Sequence, residues 1–235
     1  LLTLEKRLRS RIKPPAKPGF GLQSINAPTG NNYIYSLKEV TDKEVHFVIS
    51  ESNGDRWMFF VNNKTEVETS SLSGSNTGDW FGDINKPNYI VIGEHHGGKN
   101  EPAGLGHKGQ IAEILVYDHP LSQIEKEHIS EYVEHNYHDQ EKSNSILPPK
   151  TGLRFWLDSG DLDANPETLN PRGEYKVSEW VDKIAGLKLQ QPNKLKQPTL
   201  KKFGKTKRQG VHFSGTFLKT EISSGLGFLK DQTGA

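Results

Sequence analysis

The run Gly109-Gln110-Ile111-Ala112-Glu113-Ile114-Leu115-Val116-Tyr117-Asp118-His119-Pro120-Leu121-Ser122, leading into a helical pattern that ends near Tyr137, constrains the fold more than any other stretch. Ile111, Glu113, Leu115 and Tyr117 alternate with Ala112, Ile114, Val116 and Asp118. The segment therefore reads as one β-strand with apolar groups on both faces, the pattern of a strand at the centre of a packed sheet. Ser122 and Glu125 then make an S-x-x-E capping box, whose hydroxyl and carboxylate satisfy amide N–H groups that the first helical turn leaves without partners. Leu121, Ile129, Tyr132, Val133 and Tyr137 share one broad face at helical spacing, while Lys126, Glu127 and Glu134 are expected to face water.

The rest of the chain reads as strands and turns. Asn53-Gly54 is flanked by alternating Val45, Phe47 and Ile49 on one side and Trp57, Phe59 and Val61 on the other, which predicts a hairpin closed by a two-residue type I′ turn. A further strand is expected over Tyr89-Ile90-Val91-Ile92-Gly93. Only 32% of the 235 residues are apolar, and 23 Gly with 13 Pro supply the punctuation that many short strands require. No stretch approaches the roughly 18 to 20 apolar residues of a membrane-spanning helix. The absence of cysteine excludes disulfides, thiolate zinc sites and a cysteine nucleophile.

The G-x-I-A-E-I-L-V-Y-D strand, the L-S step and the charged helix resemble the closing segment of a laminin-G-like module of the concanavalin A-like lectin and glucanase superfamily. Four downstream motifs resemble the opening half of the same module, which in the family reads W-L-D-A-x-D, V-x-x-W-x-D-K, Q-x-x-x-P-T and V-x-F-x-G-x-x-x-L. They are Trp156-Leu157-Asp158-Ser159-Gly160-Asp161, Val177-Ser178-Glu179-Trp180-Val181-Asp182-Lys183, Gln190 with Gln197-Pro198-Thr199, and Val211-His212-Phe213-Ser214-Gly215-Thr216-Phe217-Leu218. Where the family usually carries V-N-G, this chain has Val61-Asn62-Asn63; Asn also visits the left-handed conformation that such a glycine adopts. The resemblance implies an all-β fold: a concanavalin A-like jelly-roll β-sandwich of two antiparallel sheets, with one short capping helix at about residues 122–137.

The two halves stand in reverse order. Residues 1–19 read as a basic, proline-containing arm or linker, 20–140 as the closing half, 141–150 as a linker and 151–235 as the opening half. Either the halves complete one sandwich, as in a circular permutation, or the second begins a new module of a tandem array. Length favours the first.

Aromatic and acidic groups on the Gly-, Ser- and Asn-rich stretch of residues 70–108 are the candidate ligand-binding residues. Trp80 between Asp79 and Asp83 would offer a ring to a sugar's apolar face and carboxylates to its hydroxyls, with His95 and His96 nearby in the same loop region. Asp158, Asp161 and Asp163 cluster oxygen ligands of the kind calcium accepts, and no cofactor other than calcium is expected. Gly104-Leu105-Gly106-His107-Lys108-Gly109 matches G-x-G-x-x-G but leads into a strand instead of a helix, so it does not read as a dinucleotide site.

Catalysis is not expected. The superfamily's glucanases carry an E-x-D-x-E type strand, of which Glu66-Val67-Glu68 is the nearest approach, and no G-x-S-x-G nucleophile motif occurs. With a net charge of +1, and with basic stretches that lack interleaved aromatic residues apart from Phe203, nucleic acid is not an expected partner. These features lead to a non-catalytic structural or adhesive module of a virion or cell surface, with copies of itself, neighbouring structural proteins or glycans as partners. The alternatives are a lectin-like domain of a secreted protein and a glycan hydrolase.

Overall fold

A computed structural model describes residues 2–4, 8–13, 17–22, 32–37, 45–62, 65–76, 78, 89–93, 107–138, 146–162, 175–202 and 208–221. Among the described residues, strands dominate, in several antiparallel sheets, with one short α-helix, Gln123–Val133. The chain is therefore all-β, as its alternating patterns require. It divides into two compact units: one holds residues 1–3, 89–116 and 153–223, and the other 4–88, 117–152 and 224–235.

In the first unit, the strands Tyr175–Lys176, Thr199–Lys202, Gln209–Ser214 and Lys108–Ile111 lie in that order in one antiparallel sheet. Leu200 faces Val211 and Val211 faces Ile111 across the ladder. Because cross-strand partners and i, i+2 neighbours share a face, Leu200, Val211 and Phe213 are buried together. A second set runs Glu179–Val181, Lys188–Gln190, Leu218–Glu221 and Tyr89–Ile92, bringing Trp180, Leu189, Leu218 and Ile90 to Ile92 into the core. Gly93, at φ +96°, has no room for a side chain: a Cβ there would overlap the Phe213 ring.

The strand expected over residues 109–118 is two strands, not one. Lys108–Ile111 pairs with Gln209–Ser214, whereas Glu113–Tyr117 pairs with Leu153–Asp158. Ala112 marks the change of partner, its carbonyl accepting the Ser159 N–H at 2.9 Å. Burial is uneven as well: Val116 and Tyr117 are buried, while residues 111–115 are half-buried.

In the second unit, Leu8–Lys13, Lys17–Leu22, Asn32–Ser36 and Thr69–Ser73 form an antiparallel series. Residues 8–13 and 17–22 thus pair as a hairpin, where the sequence pattern predicts an arm up to residue 19. Leu8, Ser10 and Ile12 alternate with Arg9, Arg11 and Lys13, the period of two of a strand.

The hairpin around Asn53-Gly54 is present, as Val48–Ser52 paired with Trp57–Val61, and Trp57, Phe59 and Val61 are fully buried. Its turn is not type I′. Ser52 stands opposite Trp57, so four residues form the loop, and Gly54 alone among them has positive φ. The Asn53 side chain supplies the closure, its Oδ1 accepting the N–H groups of Asp55 and Arg56 at 3.0 Å each. The left-handed residue after this hairpin is Asn62, at φ 53°, whose Oδ1 accepts the Phe47 N–H at 2.9 Å; Asn63 lies outside the described residues.

The helix begins at the expected capping box, with Ser122 and Glu125 each bonding the other's backbone. It continues through a turn of π-helix, Glu134–His138, and buries Leu121, Ile129, Tyr132, Val133 and Tyr137. Lys126 does not face water. It is buried against Glu51 of the hairpin, because it lies three and seven residues from Ile129 and Val133 on the same helix face.

Candidate functional site

The predicted ligand-binding residues Asp79, Trp80, Asp83, His95 and His96 lie outside the described residues, as does Asp163 of the predicted calcium cluster. Asp161 ends the short 3₁₀ turn Ser159–Asp161, and its side chain is likewise outside the description. Asp158 is fully described. Its Oδ1 accepts the Gly160 N–H at 2.8 Å and its Oδ2 receives the Lys183 ammonium at 3.2 Å, the arrangement of a turn-capping acid with a neighbouring cation. Among the described residues, no group of three or more His, Asp or Glu side chains is placed to hold a metal ion.

Around Asp158, two of the sequence motifs interlock. Asp182 is 1% exposed, and its Oδ1 accepts the N–H groups of Trp156 at 2.7 Å and Ile184 at 3.2 Å while Oδ2 accepts that of Ala185 at 2.6 Å. The Lys183 N–H returns a bond to the Trp156 carbonyl at 2.9 Å. Both backbone groups of Trp156 are therefore held by the Asp182-Lys183 pair. Above the indole, Lys183 Nζ lies 3.9 Å from the ring centroid, a cation–π contact, and Trp156 Nε1 donates to Glu113 Oε2 at 3.1 Å.

The third motif is built in the same way. Gln197 Nε2 donates to the Gln191 carbonyl at 2.8 Å, and Gln191 Oε1 accepts the Asn193 N–H at 3.1 Å, so two buried amides set the turn that carries Lys194 to Lys196 into solvent. Gln190, which the sequence pattern singles out, points elsewhere and donates to Glu179 Oε2 at 2.5 Å.

In the second unit, two clusters of ionisable groups involve the helix. Glu51 and Lys126 form an ion pair at 2.7 Å, with side chains 8% and 10% exposed. The second Glu51 oxygen accepts the Leu121 N–H at 3.2 Å, and Lys126 Nζ lies 4.2 Å from the centroid of the Phe60 ring. At the head of the helix, His119 stands between Asp118 and Glu125, with Nδ1 2.9 Å from the first carboxylate and Nε2 3.0 Å from the second. The sequence signal for this cluster is the Asp-His pair directly ahead of the capping box.

Among the described residues, three buried polar atoms of the first unit have no hydrogen-bond partner: His107 Nε2, Gln110 Oε1 and Trp180 Nε1. Burial pushes the His107 imidazole down to about 4, so the ring is neutral at physiological pH and packs at 6.5 Å from the Phe213 ring. In the second unit the ionisable clusters can hold protons and tie elements together. Among the described residues, no helix is long and apolar enough to cross a membrane. Comparison with family models, with curated protein sequences and with solved structures gives no match.

Proposed function

We propose that the chain is a non-catalytic structural or adhesive module of an external surface, of a virion or a cell, built on a laminin-G-like jelly-roll sandwich. Its role in this reading is assembly with copies of itself or with neighbouring structural proteins, and attachment to glycans or another surface. One observation carries the proposal. The strand of the closing-type motif, Lys108–Ile111, pairs in register with the strand of the opening-type motif, Gln209–Ser214, within one compact unit. That pairing is what two complementary parts of one sandwich would make, whichever comes first in the chain.

The roles of the acidic side chains in these motifs support the same reading. Asp182, Asp158 and Glu113 bind backbone amides, a lysine and an indole, so each of these acids holds the fold together. The surface turn at Lys194 to Lys196 adds exposed cations suited to contact with an acidic neighbour.

Sizing of the isolated chain at several concentrations, together with glycan-array binding of the chain and of Trp80→Ala, tests the proposal. Concentration-dependent association supports the structural role, and glycan binding lost in Trp80→Ala supports the adhesive one. A well-folded monomer that binds no glycan overturns both, and turnover of a glycan overturns the non-catalytic assignment.

A further inference from the structure

His119 is held from both sides by acceptors. Its Nδ1 faces Asp118 Oδ1 at 2.9 Å and its Nε2 faces Glu125 Oε1 at 3.0 Å. An ionised carboxylate only accepts, so both contacts are hydrogen bonds only when each ring nitrogen carries a proton. The same Glu125 closes the capping box, its Oε2 accepting the Ser122 N–H at 2.8 Å and the Ser122 hydroxyl at 2.7 Å. Asp118 donates its N–H to the Gly152 carbonyl at 2.9 Å. Gly152, at φ +65°, lies so close that a Cβ there would overlap both Asp118 Oδ1 and His119 Nδ1. One imidazole thus joins Asp118 to the first turn of the helix, and the Asp118 backbone is in turn bonded to the chain at Gly152.

We propose that Asp118, His119 and Glu125 form a proton-operated latch. With both nitrogens protonated the ring ties the Tyr117-Asp118 segment to the head of the helix. Loss of one proton sets a nitrogen lone pair against a carboxylate and releases that tie.

Among the described residues, the ionisable groups that face the ring are Asp118 from the segment ahead of it, Glu125 from the helix and the phenol of Tyr117, whose ring lies edge-on at 6.2 Å. Gly152 contributes only backbone. Glu51 and Lys126, the other ions near this end of the helix, bond each other. The bond to Asp118 raises the imidazole above its ordinary 6.5; burial opposes it, and Glu125 adds to the rise. Burial also pushes Glu125 up, but its bonds from Ser122 and His119 outweigh this and hold it below 4.5.

A raised histidine contributes stability that is complete below about 6.5 and fades as pH rises through its folded value. A lowered carboxylate contributes stability that is present above 4.5 and is lost as pH falls through its folded value. The latch is closed below about 6.5 and opens as pH rises through the raised folded value of His119.

The test follows the full chain from pH 5.5 to 8.5, with an NMR titration of the His119 ring beside amide hydrogen exchange at residues 118–126 corrected for its intrinsic pH dependence. The ring is expected to titrate above 6.5, and protection to fall roughly two- to fivefold across that titration. In His119→Gln the protection should not follow pH. Glu125→Gln, which keeps a capping side chain, should move the ring back towards 6.5. A wild-type ring that titrates at or below 6.5 overturns the latch whether or not a variant folds, and so does an unchanged pH response in His119→Gln.

Discussion

Asp182 accepts three backbone N–H groups from a position with almost no solvent, and two of them belong to its own turn while the third belongs to Trp156, 26 residues upstream. Truncation would leave those donors buried without partners, which is more expensive than losing a surface contact. Asp182→Ala is therefore expected to destabilise the first unit by about 2–4 kcal/mol in urea denaturation. Asp158→Asn, which keeps an oxygen for the Gly160 amide and loses only a partly exposed ion pair, should cost under about 1 kcal/mol. Equal losses in the two variants would contradict the assignment of the lock to Asp182. The W-x-D-K and W-L-D motifs are both legible in the sequence. Their mutual contact is not, because hydrogen bonds between distant segments leave no periodicity in either one.

At the scale of elements, the helix is pinned to the hairpin through an ion pair removed from water. Glu51 bonds both Lys126 and the Leu121 N–H, so it connects the strand Val48–Ser52 with the residue ahead of the helix cap as well as with the helix itself. Taking away one partner strands a buried charge, whereas replacing both with apolar groups removes the charge problem itself. Lys126→Met alone is expected to lose about 3–5 kcal/mol, and Glu51→Leu with Lys126→Met to recover most of that loss, with the Leu121 amide still wanting an acceptor. A double-mutant cycle on urea midpoints measures the coupling, and additive losses would show that the pair is not the pin. The apolar stripe and the capping box make this helix legible from its sequence alone. The burial of Lys126 is not, because a lone lysine reads as polar even at a position in register with Ile129 and Val133. In the hairpin, Asn53-Gly54 announces the turn, but the side-chain bonds of Asn53 give it four residues where the pattern implies two.

At the scale of the whole molecule, strands and their motifs can be read along the chain, while the division into units depends on which segments pair. Residues 89–116 join 153–223, and residues 117–152 join 4–88, so each unit is assembled from separated stretches of chain. No local pattern encodes that choice; it follows from ladders such as Val211 with Ile111 and Leu218 with Ile92. The two units also carry histidines of opposite pH character. His107, in the first, is pushed by burial to about 4, so between 6.5 and 4 the unfolded chain binds a proton that the folded one refuses. Stability of the first unit should thus fall as pH drops through that window, by up to about 3 kcal/mol at its lower end. His119, in the second, is raised by Asp118, so its contribution is complete in mild acid and lost as pH rises. Hydrogen exchange resolved by segment should show Gln209–Ser214 losing protection towards pH 4.5 and Gln123–Val133 losing it towards pH 8.5. His107→Phe, which gives up the ring's bond with the Gln110 backbone but no partner at Nε2, should flatten the acid response of the first segment and leave that of the helix unchanged. If both segments weaken together at one end of the pH range, the two histidines do not act separately in their own units.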